Sequence, residues 1–257
     1  MKPKTYLNGS VKNGNIMRWS INPLVVYIAP MKFYSKQGED AKYRKLVMDA
    51  LNAWSAASAG KISFRITNVL LESNINIDWK RVDRQALGHC TFNWDPHGRL
   101  YGAEVSIGLT DGKIHKQYDS EIEVYHTILH EIGHALGLGH SPYKQDIMYT
   151  PHQYGNASLS ANDRYSIQWL YRLPAAASVQ KIAARHSMST NSDIDSVIRK
   201  IDSKSDEKEH LQENVKARNS RDLLEESANI GDLKRYNMML QDISLSQNVK
   251  KYLNNNR

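Results

Sequence analysis

One cysteine, Cys90, stands among 257 residues. No intramolecular disulfide can form, so a small disulfide-stapled scaffold is excluded, although secretion as such is not. Long apolar runs are also missing. No stretch approaches the roughly 18 residues that a membrane span requires. The first residues, "MKPKTYLNGSVKNGN", are polar and carry no apolar h-region, so they do not read as a signal peptide. Phenylalanine occurs three times, and neither it nor tryptophan occurs beyond Leu173. An excess of one charge sign is weak. Thirty-four Lys and Arg face 27 Asp and Glu, and the net +7 is spread among acids. Such mixing describes a solvated surface and gives no expectation of nucleic acid as a partner.

The residues that are present divide the chain in two. "LVVYIA" between Pro23 and Pro30 reads as a strand. Tyr43, Leu46, Val47, Ala50, Leu51 and Trp54 then recur at the spacing of one apolar helix face, and Gly60 stops that helix. "KISFRI" and "NINIDW" alternate apolar and polar residues as half-buried strands do, and "ALGHCTF" and "AEVSIGL" are two further strand candidates. A second helix is expected from Ser120, its N-cap, to Gly137, and a third over "SANDRYSIQWLY", capped by Ser160 with Asp163 in its first turn. Beyond Leu173 the chain turns polar. Ile194, Val197, Ile198 and Ile201, then Leu233, Tyr236, Leu240 and Ile243, keep helical spacing around a break at Gly231. We expect an N-terminal segment over 1–17, a main domain over 18–173 and an amphipathic helical extension over 174–257, with a partly disordered tail as the alternative for the last.

Chemistry concentrates in "HEIGHALGLGHSPYKQDIMY", from His130 to Tyr149. His130 and His134 are four apart, so a helix presents both imidazoles on one face, one turn apart, where they can share an ion. Glu131 points partly away from them. That suits a base acting on a water held by the metal better than a ligand. Gly137 lets the chain leave the helix sharply, which swings His140 round as third ligand. Three neutral nitrogens leave one tetrahedral position open, the arrangement of a catalytic zinc. His126 lies one turn before His130. A straight helix separates His126 from His134 by about 12 Å, too far for one ion, so His126 is expected to be a satisfied histidine outside the ligand set. His89, His97, His115 and His152 lack such spacing and are expected at the surface or rim.

The pattern H-E-x-x-H-x-x-G-x-x-H with a downstream methionine, here Met148, resembles the metzincin zinc endopeptidases. Ser141 after the third histidine and Tyr149 after Met148 resemble the matrixins within them, although Pro151 comes one residue later than in the matrixin turn. "MRWSINPLVVYI", "ALNAWSAASAGKISF", "NINIDW", "ALGHCTF" and "LSANDRYSIQWLY" are similar to that family's elements in the right order, from Arg18 to Tyr171. The resemblance implies an α+β metzincin-type domain. Its twisted sheet would have five strands, mostly parallel with one antiparallel edge strand, covered by two long helices and a closing helix. It implies one catalytic Zn²⁺ on His130, His134 and His140, Glu131 as base, and Gly137, Met148 and Tyr149 in support, with Met148 as an apolar floor.

By the same resemblance a protein or peptide substrate would lie extended beside Leu87 and Gly88, adding a strand to the sheet edge. Its side-chain pocket would be walled by the active-site helix and by 149–156. The family's cysteine-containing propeptide motif is absent. Of the family's structural zinc site His89 fits one position, but Val105 stands where another histidine would be and no His-x-Asp segment precedes it, so neither structural zinc nor calcium is expected. The resemblance suggests an extracellular setting. The function expected is a zinc endopeptidase. The alternatives are a protein-interaction or targeting module carried by the C-terminal helices, with the zinc domain as a processing device, or a zinc-bound pseudoenzyme. Glu131 argues against the last.

Overall fold

In the computed structural model the described residues are 2–31, 39–82, 86–109, 116–118 and 120–205. His115 and the expected helical positions from Leu233 to Ile243, with Gly231, lie outside them. Residues Met1–Ile201 form one compact unit and Asp202–Arg257 a second. The first unit therefore continues past the boundary expected at Leu173.

A short antiparallel pair, β1 (Val11–Lys12) and β2 (Asn15–Ile16), opens the chain. The main sheet follows, from β3 (Arg18–Trp19), β4 (Leu24–Ile28), β5 (Phe64–Thr67), β6 (Ile75–Arg81), β7 (Gly88–Trp94) and β8 (Arg99–Leu109). The order β3-β8-β6-β4-β5 is parallel throughout, and β7 runs antiparallel along β8. The expected five strands are present, and β3 adds a sixth by pairing with the start of β8. Ile75, Ile77 and Trp79 alternate into the core as their spacing requires.

Helix α1 (Glu39–Ala57) buries Val47, Ala50, Leu51 and Trp54. Helix α2 (Glu121–Ala135) packs on α1, β7 and β8. It ends one residue before Leu136, and Gly137 follows at φ +99°, the left-handed turn that stops the helix. A Cβ there would come within 2.7 Å of the Met17 carbonyl oxygen. The orphan carbonyls at this end are taken up by aromatic donors. Trp19 Nε1 donates to Ala135 O at 2.8 Å and Tyr171 Oη to Leu136 O at 3.1 Å. At the other end Ser120 holds an extended N-cap conformation, but its side chain makes no cap bond. Helix α3 (Ala161–Arg172) starts with a full capping box, Ser160 and Asp163 bonding reciprocally.

Two segments outside the expected 18–173 domain belong to this core. Tyr6, Leu7, Ile16 and Met17 are buried, and so are Val179, Ile182 and Ala183 of α4 (Val179–Arg185) and Ile194, Val197 and Ile198 of the helical residues 194–201. Asp195 fastens the two ends together, accepting from the backbone N–H of Leu7 at 2.7 Å and of Asn8 at 3.2 Å. The polar composition after Leu173 hid this, because a helix needs only one apolar stripe to dock.

Candidate metal centre

Helix periodicity sets the first part of the site. His126, Thr127, His130, Glu131 and His134 recur at three- and four-residue steps, so α2 turns one polar stripe toward the cleft beneath β7. The left-handed turn at Gly137 then brings His140 back. His134 Nε2 lies 3.1 Å from His130 Nε2 and 3.2 Å from His140 Nε2. Three imidazole nitrogens so placed surround a common point. Zinc–nitrogen bonds of about 2.0–2.1 Å at tetrahedral angles put such nitrogens about 3.3–3.4 Å apart, so the donor set fits a zinc ion.

Hydrogen bonding on the far side of the rings agrees. His130 Nδ1 is 2.7 Å from Ile147 O and His134 Nδ1 is 2.8 Å from Leu138 O. A carbonyl only accepts, so each Nδ1 carries the proton and each Nε2 presents a lone pair to the shared point. Burial holds both rings in the neutral, ligating form, pushing His130 down to about 3 and His134 to about 4. His140 is shifted the same way by burial. Among the described residues these three histidines gather as a possible metal-binding group.

Glu131 is 7% exposed. Burial pushes its carboxyl up to about 8. Gly88 at the start of β7 lies directly over it, since a Cβ on Gly88 would fall 2.8 Å from Glu131 Oε1 and 2.6 Å from Thr127 Cγ2. Only glycine lets the edge strand approach so closely. Leu87 and Gly88 line the cleft, as does Tyr149, and the cleft has a volume of about 710 Å³. Leu87 O accepts from Gly108 N at 2.8 Å, which ties the strand's entry to β8. Cys90, half-buried, also lines the cleft, and burial pushes its thiol pKa up.

Met148 is fully buried against α2. A Cβ on Gly133 would lie 2.3 Å from Met148 Sδ and 3.0 Å from Trp54 Cζ2, so Gly133 makes the room in which the methionine packs on α2. The sequence reading passed over Gly133, because a glycine inside a helix carries no signal of what packs on it. It also passed over Asp146. This wholly buried carboxylate accepts from Ser141 Oγ, from Ser160 Oγ at 2.7 Å and from Asn162 Nδ2 at 3.2 Å. Asp163, besides capping α3, accepts from Ile147 N at 2.9 Å and from Tyr6 Oη at 2.6 Å. The turn carrying Ile147 and Met148 is thus held by two buried carboxylates, one of them bonded to the N-terminal segment.

Two histidine expectations change. His152, expected at the surface or rim, has a side chain only 13% exposed and bonds Glu123 Oε2 through Nε2 at 2.7 Å. Glu123 Oε1 accepts from Gly155 N at 2.9 Å, so this one carboxylate ties the 152–155 loop to α2. His126 was expected to be satisfied. Its Nδ1 is, at 2.6 Å from Asn156 O, but its buried Nε2 has no hydrogen-bond partner among the described residues. His89 and His97 are exposed, as expected.

A mostly parallel sheet with an antiparallel edge strand, and three converging imidazoles beside a buried carboxyl under that edge, define the metzincin class of zinc proteins. The matrixin family profile matches residues 18–172, and the chain belongs to that family. It is also similar to a protein of Trichoplusia ni ascovirus 2c named "Putative matrix metalloproteinase", with 46% identity over 55 residues. That match covers 21% of this chain and 11% of the viral protein, so the chain spans a small part of that relative's length. No helix among the described residues is long and apolar enough to cross a membrane.

Proposed function

We propose that this protein is a zinc-dependent endopeptidase that hydrolyses peptide bonds in extended protein substrates outside the cell. The observation that carries this reading is the convergence of three imidazole Nε2 atoms beside a buried carboxyl, under a sheet edge that pairs with no other strand among the described residues. Zinc bound by His130, His134 and His140 supplies the Lewis acidity that activates water and polarises the scissile carbonyl. The chain's own residues do the rest. The outer edge of β7 offers backbone groups to an extended peptide, and Leu87 and Gly88 set its depth over Glu131. Glu131 takes the proton of the attacking water and returns it to the leaving nitrogen. Its burial raises its proton affinity, and the ion's charge lowers it, which brings the group into the range where it can both take and give a proton near neutrality. Met148 and the Ile147 and Leu138 carbonyls hold the two helical imidazoles in register.

The test is cleavage of an unfolded protein by the zinc-loaded chain, beside Glu131→Ala and beside the wild type with a chelator. The expected result is cleavage by the wild type alone, with Glu131→Ala retaining zinc and losing activity by about 10²–10⁴-fold. Normal cleavage by Glu131→Ala would remove the base from the reading. Silence in all three arms with zinc bound would favour a pseudoenzyme.

A further inference from the structure

The three imidazoles of the metal centre are not held alike. His130 and His134 each fix Nδ1 on a backbone carbonyl oxygen. His140 is exposed, and among the described residues its Nδ1 has no such partner. A ligand without an anchoring hydrogen bond depends on its backbone for its position. On one side that backbone is tied by Ser141, whose N–H donates to Met148 O at 2.8 Å. On the other side stand residues 137–139, and these are walled by the N-terminal segment.

Close backbone approach builds the wall. A Cβ on Gly9 would fall 3.0 Å from Gly139 Cα, and one on Gly139 would fall 2.8 Å from Gly9 Cα, so the two glycines meet with no side chain between them. Met17, whose carbonyl oxygen abuts Gly137, donates its N–H to Ser10 O at 2.8 Å, which joins the two contacts into one piece. Gly9 itself belongs to a short 3-10 turn, Leu7–Ser10. The first two N–H groups of that turn, on Leu7 and Asn8, both donate to the Asp195 carboxylate, at 2.7 Å and 3.2 Å. Asp195 is 6% exposed, and a buried carboxylate that accepts two backbone N–H groups makes strong, directed bonds. Neither Gly9 nor Asp195 lies within residues 18–172, which the matrixin profile matches.

We infer that Asp195 is a positioning residue of the metal centre: through the turn at Leu7–Ser10 and the contact of Gly9 with Gly139, it holds the backbone that carries His140 as third ligand. This rests on the zinc reading proposed above. Asp195 touches neither metal nor substrate. Without its carboxylate the N–H groups of Leu7 and Asn8 lose their acceptor, the turn loosens and Gly9 withdraws from Gly139. His140, with no bond of its own, then spends less time at the shared point, while His130 keeps its anchor on Ile147 O.

Zinc affinity of the full chain, measured by competition with a chromophoric chelator, tests this in a double-mutant cycle of wild type, Asp195→Ala, His140→Ala and the double variant. The temperature is one at which circular dichroism shows each metal-free protein folded. Asp195→Ala should bind zinc about 10–100-fold more weakly than the wild type. Asp195→Asn, which keeps one acceptor oxygen, should fall between the two. In the His140→Ala background the change at Asp195 should cost less than about twofold, because the ligand it positions is gone. A general loosening of the fold would weaken binding equally in both backgrounds. That result, or an Asp195→Ala affinity equal to the wild type, overturns the inference and leaves the zinc reading standing. If Asp195→Ala does not fold, Gly9→Ala takes its place in the same cycle, since its methyl group pushes on Gly139 directly, and the same dependence on His140 is expected. Wild-type protein that binds no zinc overturns the zinc reading and the inference together.

Discussion

Proton linkage belongs to single residues, and four of them give this protein an unusual dependence on pH. His126, His130 and His134 are held below their ordinary value of 6.5, burial being the largest cause in each. The unfolded chain therefore binds more protons than the folded one as pH falls below 6.5, and stability drops toward pH 4. Glu131 runs the other way. Its folded pKa, about 8, is above the unfolded 4.5, so its contribution is complete at low pH and is lost as pH rises toward 8. Between 4.5 and 6.5 three histidines oppose one glutamate, and above 6.5 the glutamate acts alone. Chelator-treated protein should therefore be most stable near pH 6.5, with each fully counted histidine steepening the acid side by up to about 1.4 kcal/mol per pH unit. Urea melts at half-unit intervals from pH 4.5 to 8 would show it, and a flat profile below 6.5 would contradict the burial of these rings. Zinc should flatten the alkaline side, because its charge favours ionised Glu131.

Among the elements, α2 is the one whose packing decides whether the ligands meet. Gly133 is an unfavourable helix residue by propensity and necessary by packing. Gly133→Ala would gain helix propensity and still lose stability by about 1–3 kcal/mol, since its Cβ collides with Met148 Sδ. Thermal melts together with zinc affinity would measure both effects. A variant as stable as the wild type, with unchanged zinc affinity, would mean that Met148 repacks freely. Gly88→Ala acts at the strand above. Its Cβ must displace Glu131 or Thr127, so kcat should fall with little change in melting temperature. The elements themselves were largely legible in the sequence. The alternation in "NINIDW" and the heptad-like spacing after Tyr43 gave β6 and α1, because burial on one face writes its own period into a chain. The pairing of β3 with β8 was not legible, since two residues are too few to show a period.

At the scale of the whole molecule the decisive feature is that the N-terminal segment reaches Asp163, which holds the Ile147 turn, and that the C-terminal end of the compact unit fastens onto that segment. Tyr6 reaches Asp163 across 157 residues, and Asp195 holds Leu7 across 188. A chain ending at Leu173 would lose Ile182, Ile194, Val197, Ile198 and Asp195, and each large apolar residue removed from a core costs about 2–5 kcal/mol. Domains of this size hold only about 5–15 kcal/mol in total. Truncation at Leu173 should therefore abolish cooperative unfolding, whereas truncation after Ser205 should keep it along with zinc binding. Circular dichroism melts of the two would decide. A Leu173 truncation that melts like the full chain would show that the later helices only decorate the domain.

The sequence alone determined which side chains converge in the candidate site. His130, Glu131 and His134 lie within about one turn of helix, and Gly137 turns the chain toward His140, so their meeting depends on local backbone geometry that residue spacing expresses directly. Only the tertiary structure decided which ring nitrogens of His130 and His134 turn to the shared point, what packs on α2 at Gly133 and what chemistry lines the cleft. Those depend on carbonyls, carboxylates and rings brought in from distant segments, such as Asn156 30 residues from His126 and His152 29 residues from Glu123. No local period encodes such contacts. They exist because the loop after Met148 folds back on α2, and that return is fixed by burial and hydrogen bonding across the whole unit.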